Sequence, residues 1–159
     1  MAGETKQIER RSLKFDSLDE VLNDAKVLVN ADQVVSAGTW SLAQTLMHLA
    51  IGMRMSMESG IKTRRSLMLR IMGPIIKRRI LKHGMKPGYK LPEKVARLLV
   101  PKENTKLTTA WDALQSQVER MKECQKFYPH PVFGDLTRDE WLKLTLRHAE
   151  LHLSFLRPA

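Results

Sequence analysis

Leu107, Trp111, Leu114, Val118 and Met121 recur at alternating steps of four and three residues, a spacing that only a helix turns into one apolar seam. A helix with such a seam needs a nearly antiparallel neighbour. Three further long segments carry helical periodicity, and no stretch shows the period-two alternation of a half-buried strand. The expectation is an all-α chain. A first helix should open at Asp16 or Ser17, with Glu20 completing a capping box, and end near Ala31. A second should begin after Gly38, capped by Thr39 or Ser41, and run from Leu42 to about Ser59, where Gly60 stops it. The seam helix is expected over about Lys106 to Phe127, and a final helix should start at the Thr137/Glu140 capping box, after the rigid turn His130-Pro-Val-Phe-Gly134. Four long helices with one lengthy crossover predict a four-helix bundle.

The crossover, residues 62–106, concentrates the charge. It holds 14 Lys or Arg against only Glu93 and Glu103, a local +12 in a chain of net +10, which leaves −2 for all the rest. A stripe of this kind attracts phosphates, anionic lipid or acidic substrates, although without interleaved aromatics it reads first as a solvated face. Gly73-Pro74 should break the segment Arg64 to His83 into two short helices joined at a kink. Pro87, Gly88, Pro92 and Pro101 then mark a long connection with a short turn of helix around Lys94 to Leu99. Leu67, Met68, Ile71, Ile75 and Ile76 lie beside Lys77, Arg78 and Arg79, a pattern compatible with an interfacial helix. The favoured expectation is that these apolar residues pack over the open end of the bundle as a lid or pocket wall.

A length of 159 residues suits one domain, 1–159, with 1–14 expected to be a flexible N-terminus. The single cysteine, Cys124, allows no internal disulfide and no thiolate cluster, so any metal must be held by nitrogen and oxygen. Arg10-Arg11 is followed by acidic residues rather than an apolar region, and the longest apolar stretch, Leu67 to Ile76, is far shorter than the roughly 20 residues that span a bilayer. The expectation is a soluble cytoplasmic protein.

His148 and His152 stand one helical turn apart in the last helix, with Trp141, Leu144, Thr145, Leu151 and Phe155 around them. Lys143, Arg147, Glu150 and Ser154 fall on the far side, which should face solvent. Burying an imidazole without a partner costs about 1–3 kcal/mol, so both rings must be hydrogen-bonded or metal-bound. His48, in the second helix, shares its face with Ser41, Gln44, Thr45, Gly52 and Met55, small and polar neighbours that suggest a pocket wall. One histidine from one helix and two from another can bind a divalent metal and leave its remaining positions open, an arrangement catalytic in type. The competing reading is three hydrogen-bonded interior histidines. Gln44 could orient a ligand, Trp141 faces the same interior, and no unmistakable general base accompanies the triad.

Four segments together resemble domain-of-unknown-function family 1569, a branch of the DinB/YfiT-like superfamily of candidate metalloenzymes. They are Trp40-Ser-Leu-Ala-Gln-Thr-Leu-Met-His-Leu-Ala50, His130-Pro-Val-Phe-Gly-Asp-Leu-Thr137, Glu140-Trp141 and Arg147-His-Ala-Glu-Leu-His-Leu-Ser-Phe-Leu156. The resemblance covers nearly the whole chain and implies a four-helix bundle whose metal triad falls on His48, His148 and His152. Some relatives carry a further histidine directly before the last ligand, where this chain has Leu151. His130, in its proline-flanked turn, is a weaker candidate for a place near the site. The resemblance further implies zinc or nickel, a low-molecular-weight thiol cofactor and a thiol-dependent transferase or isomerase; hydrolysis by metal-activated water is equally compatible with these residues. A small-molecule substrate is then the expected partner, with a homodimer compatible. The rival expectation is a non-catalytic binding module that uses segment 62–106 to contact nucleic acid, membrane or a protein.

Overall fold

The computed structural model describes residues 9–58, 66–88 and 93–159. Among them run α1 (Leu18–Val29), β1 (Val34–Ser36), α2 (Leu42–Glu58), α3 (Leu67–His83), α4 (Glu93–Leu99), α5 (Leu107–Glu123), α6 (Arg138–Leu153) and β2 (Leu156–Pro158). The chain is mostly helical, but not wholly so. β1 and β2 pair antiparallel, Val34 opposite Pro158 and Ser36 opposite Leu156, and at three residues each they are too short for alternation to register in the sequence.

The local start signals act as their chemistry requires. The Ser17 hydroxyl accepts the Glu20 N–H, while the Glu20 carboxylate accepts the N–H of Asp16, one residue before the cap. Thr137 and Glu140 form the reciprocal capping box of α6. α5 holds the whole seam but stops at Glu123, short of the expected end near Phe127, because Cys124 turns to extended backbone. The Arg138 guanidinium then donates to the carbonyls of Lys122 and Cys124 at 2.8 and 2.9 Å, satisfying acceptors that a continuing helix would have used.

α1, α2, α5 and α6 contribute to one core, with Val21, Leu28, Leu46, Leu49, Leu114, Val118, Met121 and Leu153 all buried within it. α2 and α5 make the most extensive pairing. A smaller cluster joins Ile80 of α3 to Trp141 and Leu144 of α6.

Two further expectations need correction. Segment 67–83 is one helix, not two, and it passes through Pro74. An interior proline costs a helix roughly 3 kcal/mol, and contacts around it offset that cost. Ile80 is buried against α6, Lys77 pairs with Glu140 at 2.6 Å, and a Cβ on Gly73 would come within 3.3 Å of the Val132 carbonyl, so α3 lies close on the 130–134 turn. Its Leu67, Met68, Ile71 and Ile75 are exposed rather than packed over the core. The short helix expected around Lys94 to Leu99 is present as α4.

The second correction concerns the far side of α6. Arg147, Glu150 and Ser154 are buried, because the residues preceding α1 run across them. The Phe15 N–H donates to Glu150 at 2.7 Å, Arg147 donates to the Phe15 carbonyl at 3.2 Å, and Arg147 and Glu150 pair with each other. Arg11 donates its backbone N–H to the Ser154 carbonyl at 2.8 Å and its guanidinium to both oxygens of Asp24. Arg10, Arg11, Leu13 and Phe15 thus hold the stretch before α1 against the bundle, while residues 1–8 lie outside the described residues. No described helix is long and apolar enough to cross a membrane.

Candidate metal centre

His48 sits at the middle of α2, and His148 and His152 sit one turn apart on α6, so the α2/α6 contact brings all three rings together. One ring nitrogen from each lies within 4.8 Å of the others. The ring centroids are 4.4 to 4.9 Å apart, and the His48 and His148 Nε2 atoms approach to 3.0 Å. Gly52, one turn beyond His48, lies against His148: a Cβ there would make ordinary contact with the ring, 3.7 Å from its Cε1.

The Nδ1–H of His48 donates to the Leu99 carbonyl at 2.8 Å. That bond fixes the tautomer, leaving the Nε2 lone pair turned toward His148. Leu99 is the last residue of α4, so the basic crossover supplies the acceptor that orients the first candidate ligand. Trp40 closes another side. Its ring stacks on His152 at 5.6 Å and 13° and leans on His48 at 4.7 Å.

Burial keeps these imidazoles neutral. It lowers His48 below its ordinary value, partly offset by the Leu99 carbonyl, and it lowers His148 well below, with repulsion from His152, His48 and His130 added. His152 is pushed down to about 3, by burial first and then by His48 and Arg10. Neutral imidazole is the metal-binding form, so no net deprotonation is needed at neutral pH, although a ring nitrogen that carries the proton must pass it to its other nitrogen before it can ligate. Metal–nitrogen bonds of about 2.0–2.1 Å at tetrahedral angles hold nitrogens about 3.3 Å apart, so the 3.0 Å pair opens by a few tenths of an ångström, while the wider separations, up to 4.8 Å, close by as much as about 1.5 Å through side-chain rotation. Three neutral imidazole nitrogens are chemically the donors of a divalent transition metal.

The remaining expected residues are placed differently. Gln44 accepts the Ser41 N–H with its side-chain oxygen, and Ser41 accepts the Gln44 N–H in return, so this amide caps α2. His130 accepts the N–H groups of Val132 and Phe133 at its Nδ1, at 3.1 and 3.2 Å, and stacks on Phe133 at 4.6 Å. Burial lowers it to about 4. Its geometry is that of a turn-forming histidine. Trp141 is buried between Phe127 and His130, and its indole N–H has no partner among the described residues. Periodicity brings out the three histidines but not Trp40, which opens the Trp40 to Ala50 segment of the resemblance without any assigned role, nor the Leu99 carbonyl, which no side-chain pattern can announce.

A family model described as "Protein of unknown function (DUF1569)" matches residues 7–159. The chain belongs to that family. Among curated proteins and among solved structures, nothing matches it. The DUF1569 match takes in α2 and α6 with all three histidines, and also Trp40 and the Leu99 carbonyl.

Proposed function

We propose that this DUF1569 protein is a soluble, cytoplasmic, metal-dependent enzyme built on a DinB/YfiT-like four-helix bundle, with zinc or nickel held by His48, His148 and His152. The observation that carries the reading is the convergence of three neutral imidazoles, from two helices, on one point. Three protein ligands leave coordination positions for other molecules, the mark of catalytic rather than structural sites. A dipositive metal with three neutral ligands supplies Lewis acidity, polarising a carbonyl or lowering the pKa of a coordinated water or thiol toward ~7.

The chain's own residues supply the rest. The Leu99 carbonyl holds the His48 tautomer and the flat face of Trp40 fixes the His152 ring, so both candidate ligands are oriented before anything binds. Arg10, held by Ser154 and lying over the Phe155 ring, is close enough to His152 to depress its pKa. A fixed cation there favours an anionic small-molecule substrate. A thiol-dependent transferase is the leading reaction class and metal-assisted hydrolysis the second.

The test is elemental analysis of protein purified without an affinity tag, wild type beside His148→Ala. Near-stoichiometric zinc or nickel is expected in the first and marked loss in the second. Wild-type protein that contains neither metal and takes up neither at neutral pH overturns the reading.

A further inference from the structure

α3 has two unlike sides. Gly73 and Ile80 are buried on one, with Leu69, Ile76 and Lys77 half-buried near them. At 100° per residue Leu67, Met68, Ile71, Met72 and Ile75 share the other, and they are 72, 70, 62, 42 and 60 % exposed. These five large apolar side chains extend about 12 Å along the axis at 1.5 Å per residue. Contiguous exposed apolar surface on this scale marks a docking site. Continuing along the same side toward the C-terminus come Arg78, Arg79 and Lys82, all exposed. α3 contains no Asp or Glu, so every formally charged group on that side is a cation.

The order of these groups selects the occupant. A nucleic acid would engage the three cations but leave five apolar side chains in water. A second copy would cover the apolar half while facing a chain that also carries +10. An anionic bilayer surface satisfies both halves at once, with the apolar end entering the acyl boundary and the cationic end reaching the headgroup phosphates. We propose that this side of α3 docks the protein peripherally on membranes containing anionic phospholipid. The proposal is independent of the metal centre, because none of these eight side chains contributes to it.

Flotation with vesicles of phosphatidylcholine alone, or with added phosphatidylglycerol, tests it. Binding is expected only to the phosphatidylglycerol vesicles and should weaken as salt rises. The charge-neutral double variant Ile71→Ser/Ile75→Ser should lose at least about tenfold in vesicle affinity, which a merely electrostatic attraction of a basic protein would not show. Arg78→Ala/Arg79→Ala/Lys82→Ala should lose the preference for phosphatidylglycerol. All five positions are exposed, so circular dichroism and metal content should match wild type and confirm folding. No binding at low salt, or full binding by Ile71→Ser/Ile75→Ser, overturns the proposal. So does a wild-type dimer in solution that the serine variant dissociates, which would assign the face to a second copy.

Discussion

His48 and His148, 100 residues apart in the chain, bring their Nε2 atoms to 3.0 Å of each other. Two neutral rings can meet this way only if one nitrogen carries a proton and the other does not. The Leu99 carbonyl holds the His48 proton on Nδ1, so His148 must be the donor, through its Nε2–H. Long-range nitrogen–proton NMR of metal-free protein at neutral pH should show the Nδ1–H tautomer for His48 and the Nε2–H tautomer for His148. The reverse assignment for His48 would show that Leu99 does not set its orientation.

Trp40 is expected to matter for metal affinity without touching the metal. Trp40→Ala removes the wall against His152 and His48 and should weaken zinc binding about 10-fold, the lower end of what outer-shell partners contribute, whereas Trp40→Phe should retain most of it. Competition with a chromophoric chelator measures both. Equal affinities for all three proteins would remove Trp40 from the site.

Val95 anchors α4 and is fully buried. Val95→Ala should cost about 1–3 kcal/mol in urea denaturation and, by loosening the Leu99 carbonyl, should also reduce zinc affinity. A stability loss with unchanged zinc affinity would separate α4 from the metal centre.

The Arg147/Glu150 pair is almost wholly enclosed, with side-chain exposures of 7 and 10 %. Glu150→Ala strands a guanidinium and the Phe15 N–H, and should destabilise by about 3–5 kcal/mol in urea denaturation. A loss below about 1 kcal/mol would mean the pair behaves like a surface bridge.

Metal-free protein should lose stability as pH falls below 6.5. In the unfolded chain His130 protonates near its ordinary value of 6.5, while in the fold burial delays protonation to about 4, so between those values the unfolded state binds more protons and acid favours unfolding. His48, His148 and His152 act in the same direction. Urea denaturation at pH 7 and pH 5 should show a smaller acid-induced loss in His130→Asn than in wild type. An identical loss in both would mean His130 protonates in the fold as easily as in the unfolded chain.

What could be read beforehand follows from what is local. Thr137 with Glu140 and the facing of His48, His148 and His152 depend on neighbours within a turn or two, and the structure bears them out; of the α5 seam it buries Leu114, Val118 and Met121, with Ala110 taking the place of an exposed Leu107 and a half-buried Trp111. Pro74 misleads because the contacts that offset its cost, around Gly73, Lys77 and Ile80, come from residues more than 50 positions away. Glu150 misleads for a similar reason. A helix projection places it opposite His148, but the strap from Arg10 to Phe15 that covers that side is invisible to periodicity. The Trp40 stack likewise exists only once α6 is in place.

The β1/β2 pairing has a practical meaning for anyone handling this protein. β1 ends four residues before Trp40 and β2 begins four residues after His152, so the ribbon works as a clasp on the Trp40/His152 stack. The clasp continues to Ala159, whose N–H donates to the Gln33 carbonyl at 3.0 Å. A polyhistidine purification handle joined after Ala159 would therefore hang from the clasp itself, pulling on one ligand while offering rival imidazoles to whatever metal the centre holds.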